Sequence, residues 1–104
     1  MERYKVFMTQ SATQDLKDIS AYIAHELKES SLAKKLVEKI KISVISLAKL
    51  PLRYALVSDE SLAAQGFRKI MVDNYIIFYI VSEKDKTVSI IRILYGRRDW
   101  IHWL

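Results

Sequence analysis

The segment FRKIMVDNYIIFYIVSEKDKTVSIIRILY, residues 67–95, decides the fold. It holds three runs rich in β-branched and aromatic residues: Phe67 to Val72, Tyr75 to Val81 and Thr87 to Tyr95. Asp73-Asn74 and Glu83-Lys84-Asp85-Lys86 part them. Strand-forming runs separated by two to four polar residues make an antiparallel meander. The alternation is unusual, because Tyr75-Ile76-Ile77-Phe78-Tyr79-Ile80-Val81 is apolar on both faces. In the last strand a strict period of two puts Val88, Ile90 and Leu94 on one face, and Ile91, Ile93 and Tyr95 on the other. A sheet apolar on both sides must be covered on both.

Working back toward the start, Tyr4-Lys5-Val6-Phe7-Met8 reads as a further strand. Ser11 with Gln14 three residues on forms a capping-box pattern, and behind it Leu16, Ile19, Ile23 and Leu27 recur at helical spacing. Ser30 and Ser31 are caps for a second helix. Its stripe is Leu32, Leu36, Ile40, Val44 and Leu47, with Lys34, Lys35, Lys39 and Lys41 on the wetter side. Pro51 closes it, since proline lacks the next backbone donor. Residues 51–66 show no period, and a connection of that length is usually functional or mobile. The order strand, helix, helix, strand, strand, strand gives one α+β domain over residues 1–104, an antiparallel sheet with an N-terminal strand and a two-helix hairpin packed on one face. Two helices cover one side. The other side must meet residues 51–66, residues 96–104 or a second protein, and the apolar excess favours a tightly bound partner.

Composition narrows the function classes. Seventeen basic against 12 acidic residues give a formal charge of +5, which suits an acidic partner such as nucleic acid, a ribosome or an acidic protein. No cysteine occurs, so a disulfide framework, a thiolate metal site and a cysteine nucleophile are excluded. The charged start and the lack of an apolar run of about 20 residues predict a cytoplasmic protein with no membrane span. His25 and His102 lie far apart without metal-ligand spacing, so neither a metal nor another cofactor is expected.

Several motifs then carry a family resemblance. On the first helix the pattern is Ala12, Asp15-Leu16, Ile19 and Tyr22-Ile23; the second closes on Leu47 and Leu50-Pro51. Gly66-Phe67-Arg68-Lys69, Asp73-Asn74-Tyr75-Ile76-Ile77-Phe78-Tyr79 and Ile90-Ile91-Arg92-Ile93-Leu94-Tyr95-Gly96-Arg97-Arg98-Asp99 follow in the same order. Together they resemble the RelE/ParE superfamily of toxins from type II toxin–antitoxin (plasmid stabilisation) systems, over nearly the whole chain. The resemblance implies a microbial RNase-like fold and a cognate antitoxin that neutralises the toxin and alone brings it to operator DNA. It also implies one of two targets. ParE-type members inhibit DNA gyrase and are not nucleases; RelE-type members cut messenger RNA in the ribosome, as metal-independent endoribonucleases.

RNA cleavage through the 2′-hydroxyl needs a proton acceptor, cations for the charge gathering on phosphate, and a donor for the leaving oxygen. The candidate catalytic residues are Arg68, Arg97, Tyr95 and His102, and the candidate substrate-binding residues are Arg68, Arg92, Arg97, Arg98 and Trp100. Arg68 shares a strand face with Ile70 and Val72, and Arg92 with Val88, Ile90 and Leu94. The resemblance places a phosphate-binding arginine on the strand of Arg68. Arginines interleaved with Tyr95, Trp100 and Trp103 suit single-stranded RNA, whose bases stack on rings. Each has an ordinary reading too: the arginines pair with acids, the tryptophans pin the tail to the sheet, and His102 is a surface residue. The segment that should hold a general base, Arg53 to Gly66, offers Asp59 and Glu60 but no lysine. With the Gly66-x-Arg68 spacing and the Leu94 to Asp99 ending, this places the ParE-like reading ahead of the RelE-like one, although Tyr95 stands where that branch often has histidine.

Overall fold

A computed structural model describes residues 3–97 and 99–104; Arg98, one of the candidate binding residues, lies outside them. The chain runs β1 (Lys5–Met8), α1 (Gln10–His25), α2 (Ser30–Ser46), a 3-10 turn at Pro51–Arg53, and α3 (Glu60–Ala64). It continues through β2 (Arg68–Val72), β3 (Tyr75–Ser82) and β4 (Thr87–Tyr95) to a closing 3-10 turn at Trp100–Trp103. The expected α+β class holds. The last three strands are antiparallel neighbours as expected, but β1 joins the outer side of β4 in parallel, so the order is β1-β4-β3-β2 and the expected antiparallel sheet is corrected to a mixed one.

Helix α1 begins earlier than its sequence pattern indicates. Its N-cap is Thr9, not Ser11: the Thr9 hydroxyl accepts from Ala12 N–H at 3.1 Å and donates to the Ile91 carbonyl at 3.0 Å. One side chain thus satisfies a free helix donor and ties the helix start to β4. Glu29 is the N-cap of α2 and makes no side-chain cap bond, so neither Ser30 nor Ser31 has the expected role. The stripe of α2 is confirmed at Leu36, Ile40, Val44 and Leu47, all buried, whereas Leu32 at its first turn and Leu27 after α1 are about half exposed. At the far end Leu50 adopts a left-handed φ of 49°, which turns the chain sharply into Pro51.

The helical hairpin covers one face of the sheet. Ala12, Ile23, Leu36, Ile40 and Val44 pack there on Ile70, Ile77, Tyr79, Val88, Ile90 and Ile93. On the opposite face Ile76, Phe78 and Leu94 are buried with Val57, Leu62 and Phe67, and Trp100 and Leu104 pack on that cluster. Of the three covers open to this face, the favoured one, a tightly bound partner, is therefore corrected. The 51–66 connection folds into a 3-10 turn and α3, and the tail folds back, so the chain's own segments cover the centre of this face. Trp100 rests on Phe78, ring centroids 5.0 Å apart.

A second correction concerns β4. The register slips between Phe78 and Tyr79, which pair with Arg92 and Ile90, so Ile91 is left over as a bulge. One extra residue reverses the alternation beyond it. Val88, Ile90 and Ile93 consequently share the helix side, and Leu94 joins the opposite cluster. Among the described residues no helix is long and apolar enough to cross a membrane.

Replacing Trp100 by Ala should uncover Phe78 and cost about 2 kcal/mol, less than a full core aromatic because Trp100 is only half buried. Urea unfolding checks the loss, and a rise in binding of an apolar dye to the native state checks the exposure.

Candidate functional site

Arg92 sits beside the Ile91 bulge, where β1 has already ended and α1 runs alongside β4. Its guanidinium makes a two-pronged pair with Asp15 of α1, Nε to Oδ2 and Nη2 to Oδ1, both at 2.7 Å. Asp15 Oδ2 also accepts the Ile93 N–H at 3.0 Å. The third donation of Arg92 goes to the Trp103 carbonyl at 3.0 Å, with the Trp103 ring 5.5 Å from the guanidinium carbon. The two side chains are only 19% and 11% exposed, and the hydrogen bonds to Asp15 raise the Arg92 pKa above its ordinary value. Arg92 is thereby a structural clamp joining α1, β4 and the tail.

A second knot forms at the opposite edge of the sheet, on β2. Arg68, the first residue of β2, donates to the Tyr54 carbonyl at 2.6 Å and the Leu52 carbonyl at 3.4 Å. Tyr79, fully buried on the neighbouring strand, donates to the Pro51 carbonyl at 2.7 Å. Burial pushes its phenol up to about 12, against a weaker downward pull from Arg68 and Arg53. Arg53 donates to the carbonyls of Ser46, Lys49 and Leu50 at the end of α2 and to Ser46 Oγ, and lies 4.8 Å over the Tyr54 ring. These arginines satisfy carbonyls that the helix end and the turn leave free.

The remaining candidates lie elsewhere. Tyr95, at the far end of β4, packs edge to face on Tyr75 with centroids 5.6 Å apart. Arg97 is exposed in the turn that follows. His102 is exposed and its Nε2 lies 3.2 Å from Asp99 Oδ2. Trp100 is on the face away from the helices, with Lys69 Nζ 5.9 Å from its ring centroid. Strand register separates the set: Arg68 pairs with Tyr79, whereas Tyr95 pairs with Tyr75, which itself faces Val72. That is about 13 Å along the strands and about 10 Å across them. Arg68 and Tyr95 are not brought together, and His102 belongs to the tail over the other face. Among the described residues no three acidic or histidine side chains gather in a way that could hold a metal ion.

Sequence reasoning missed Asp15, Tyr79 and Arg53. Asp15 carried a usable signal, a carboxylate directly beside the apolar stripe of an amphipathic helix. Tyr79 was hidden in an apolar run, where its hydroxyl looks no different from a surface one.

The sequence matches the family model of the ParE toxin of type II toxin–antitoxin system, parDE, over residues 6–100. No curated protein matches it. Among solved structures, a chain of the chromosomal ParDE toxin–antitoxin system from P. aeruginosa aligns with a TM-score of 0.72 at 22% identity, covering 89% of this chain and 96% of that one. A chain of the RelBE2 toxin–antitoxin complex from Mycobacterium tuberculosis aligns at 0.61 and 22% identity, covering 91% and 93%. A double arginine-to-alanine mutant of E. coli toxin RelE in the free state aligns at 0.67 and 12% identity, covering 97% and 92%. At these identities the structural likeness is one of fold.

Two outcomes follow from the knots. Asp15→Ala strands the Arg92 charge and the Ile93 donor, and should cost about 3 kcal/mol in urea unfolding, as for other largely buried pairs. For Tyr79 the unfolded phenol ionises near 10.0 and the native one near 12. Its contribution is therefore constant below pH 10 and is lost as pH climbs to 12, roughly 2–3 kcal/mol in all. Tyr79→Phe should be less stable by about 1–2 kcal/mol at pH 8, because the Pro51 carbonyl loses its partner. The difference between the two proteins should shrink and reverse across pH 10–12 in parallel urea titrations.

Proposed function

This chain belongs to the ParE toxin family of type II toxin–antitoxin systems, and from that premise we propose that it stops growth in the cytoplasm by binding and inhibiting DNA gyrase. It is the toxin of the pair, and its partner is a cognate antitoxin, through which it reaches operator DNA. The observation that carries the gyrase reading is the commitment of its best cationic groups to the fold. Arg92 is occupied by Asp15 and Trp103, and Arg68 by the carbonyls of Leu52 and Tyr54. A 2′-hydroxyl cleavage site needs its acceptor, its cations and its donor within reach of one phosphate. Arg68, Tyr95 and His102 are spread over two ends and two faces of the sheet, and the Tyr79 phenol, held near 12 and bonded to Pro51, is a poor proton carrier at neutral pH. Inhibition by surface contact requires no such convergence.

The competing reading is a ribosome-dependent endoribonuclease, for which Arg97 and His102 keep exposed positions. Expression without the antitoxin separates them. The expected result is growth arrest with a DNA-damage response, inhibition of supercoiling by purified gyrase, and no new messenger RNA ends. Ends at regular codon positions in translated messages, abolished by Arg97→Ala and accompanied by normal supercoiling, would overturn the gyrase assignment. Unimpaired growth would show that the chain is no longer toxic.

A further inference from the structure

Beyond Met8, β4 has no strand on its outer side and α1 occupies the space instead, leaving an open groove of ≈ 430 Å³. Asp15, Asp18, Ile19 and Tyr22 of α1 form one wall, and Tyr75 and Tyr95 stand on the other. The three tyrosines form one group. Tyr75 and Tyr95 are in ring contact, and the hydroxyls of Tyr22 and Tyr95 both act electrostatically on the Tyr75 phenol, adding to the upward push of burial. Tyr22 is 55% exposed and Tyr95 38% exposed, so ring surface is presented rather than packed away. The two carboxylates differ. Asp15 is spent on Arg92, whereas Asp18 accepts one neutral hydrogen bond, from Gln14 Nε2 at 2.9 Å. Among the described residues Asp18 has no cation against it.

On a chain of net charge +5 this is an acidic, aromatic spot. Nucleic acid is a poor occupant, because the Asp18 carboxylate, which has no counter-charge, would face its phosphates. A guanidinium suits it well: the flat cation lies on tyrosine rings while its donors reach a carboxylate. The groove is also open and runs along a strand edge, which fits a side chain delivered by an extended segment rather than an enclosed small molecule. We propose that the groove receives an arginine side chain of the antitoxin, a proposal that rests on the toxin–antitoxin reading. The basic remainder of the surface attracts any acidic partner, while this spot rewards one cation in one register, and so contributes to partner choice.

The test uses the full-length chain, its Asp18→Asn and Tyr22→Ala variants, and the protein encoded by the adjoining reading frame, with affinities from calorimetry. Both side chains are exposed, and circular dichroism melts verify that the variants fold. Each variant should bind about three- to ten-fold more weakly, the scale of one exposed charge pair or cation–π contact. In parallel, N-acetyl-arginine amide should shift the amide NMR signals of Tyr22 and Tyr95, and N-acetyl-leucine amide should not. Equal affinity of all three proteins, or equal shifts from both amides, would overturn the groove assignment and leave the toxin–antitoxin reading intact. If the wild-type chain fails to bind its neighbour's product at all, the toxin–antitoxin reading itself falls. A self-associating chain made monomeric by Asp18→Asn would identify a second copy as the occupant and overturn the antitoxin assignment.

Discussion

The Asp15 carboxylate stands where three parts of the chain have to agree. Strand β1 is only four residues long, so the outer side of β4 beyond Ile90 has no ladder partner. A backbone donor left free in that half-buried position would cost about as much as a lost hydrogen bond. Asp15 supplies the acceptor to Ile93 N–H and thereby brings a charge to a poorly hydrated site, which is tolerable only with a counter-charge. Arg92 provides it, and its remaining donor reaches the tail. The placement of α1, the end of the sheet and the return of the C-terminal residues are thus coupled through one ion pair. The Ile91 bulge makes the pair possible, since it resets the phase of β4 between Ile90 and Arg92.

The same economy governs the apolar sheet. Phe78 and Ile77 are both fully buried although they point to opposite faces, so both faces of β3 are core. Helices α1 and α2 supply one cover. The other is assembled from short pieces, α3 and the Trp100–Trp103 turn, with small contributions each. Support for an antitoxin therefore comes from the family rather than from a bare sheet. Apolar surface does remain outside, at Ile42 and Ile45 of α2, 62% and 69% exposed, and on the outward Met71 of the edge strand.

Arginine chemistry is correspondingly divided. Arg53, Arg68 and Arg92 each close a local deficit of acceptor satisfaction or charge, at a helix end, a turn and a strand edge. Arginine suits such posts because its planar fork serves several carbonyls at once. The consequence is that three of the chain's arginines are occupied in holding its own segments together.

What was legible in the sequence was whatever depends on neighbours in the chain. Periods of two and of about 3.6, Pro51 and the polar turns placed the meander, the helical hairpin and the α+β class, and the family likeness was carried by short motifs in fixed order. Asp15, Arg92 and Trp103 are far apart in sequence and meet only when the sheet is built, and no local pattern says which acid an arginine will choose. The N-cap at Thr9 was missed because its second bond is to Ile91, a partner outside the helix signal. The Ile91 bulge was invisible for a related reason: an extra residue in an apolar strand leaves composition unchanged and alters only which way later side chains face. Apolar periodicity, a short-range property, is set by the sequence alone. Pairing of charges, capping across elements and the covering of the second face are long-range, and only the tertiary structure decides them.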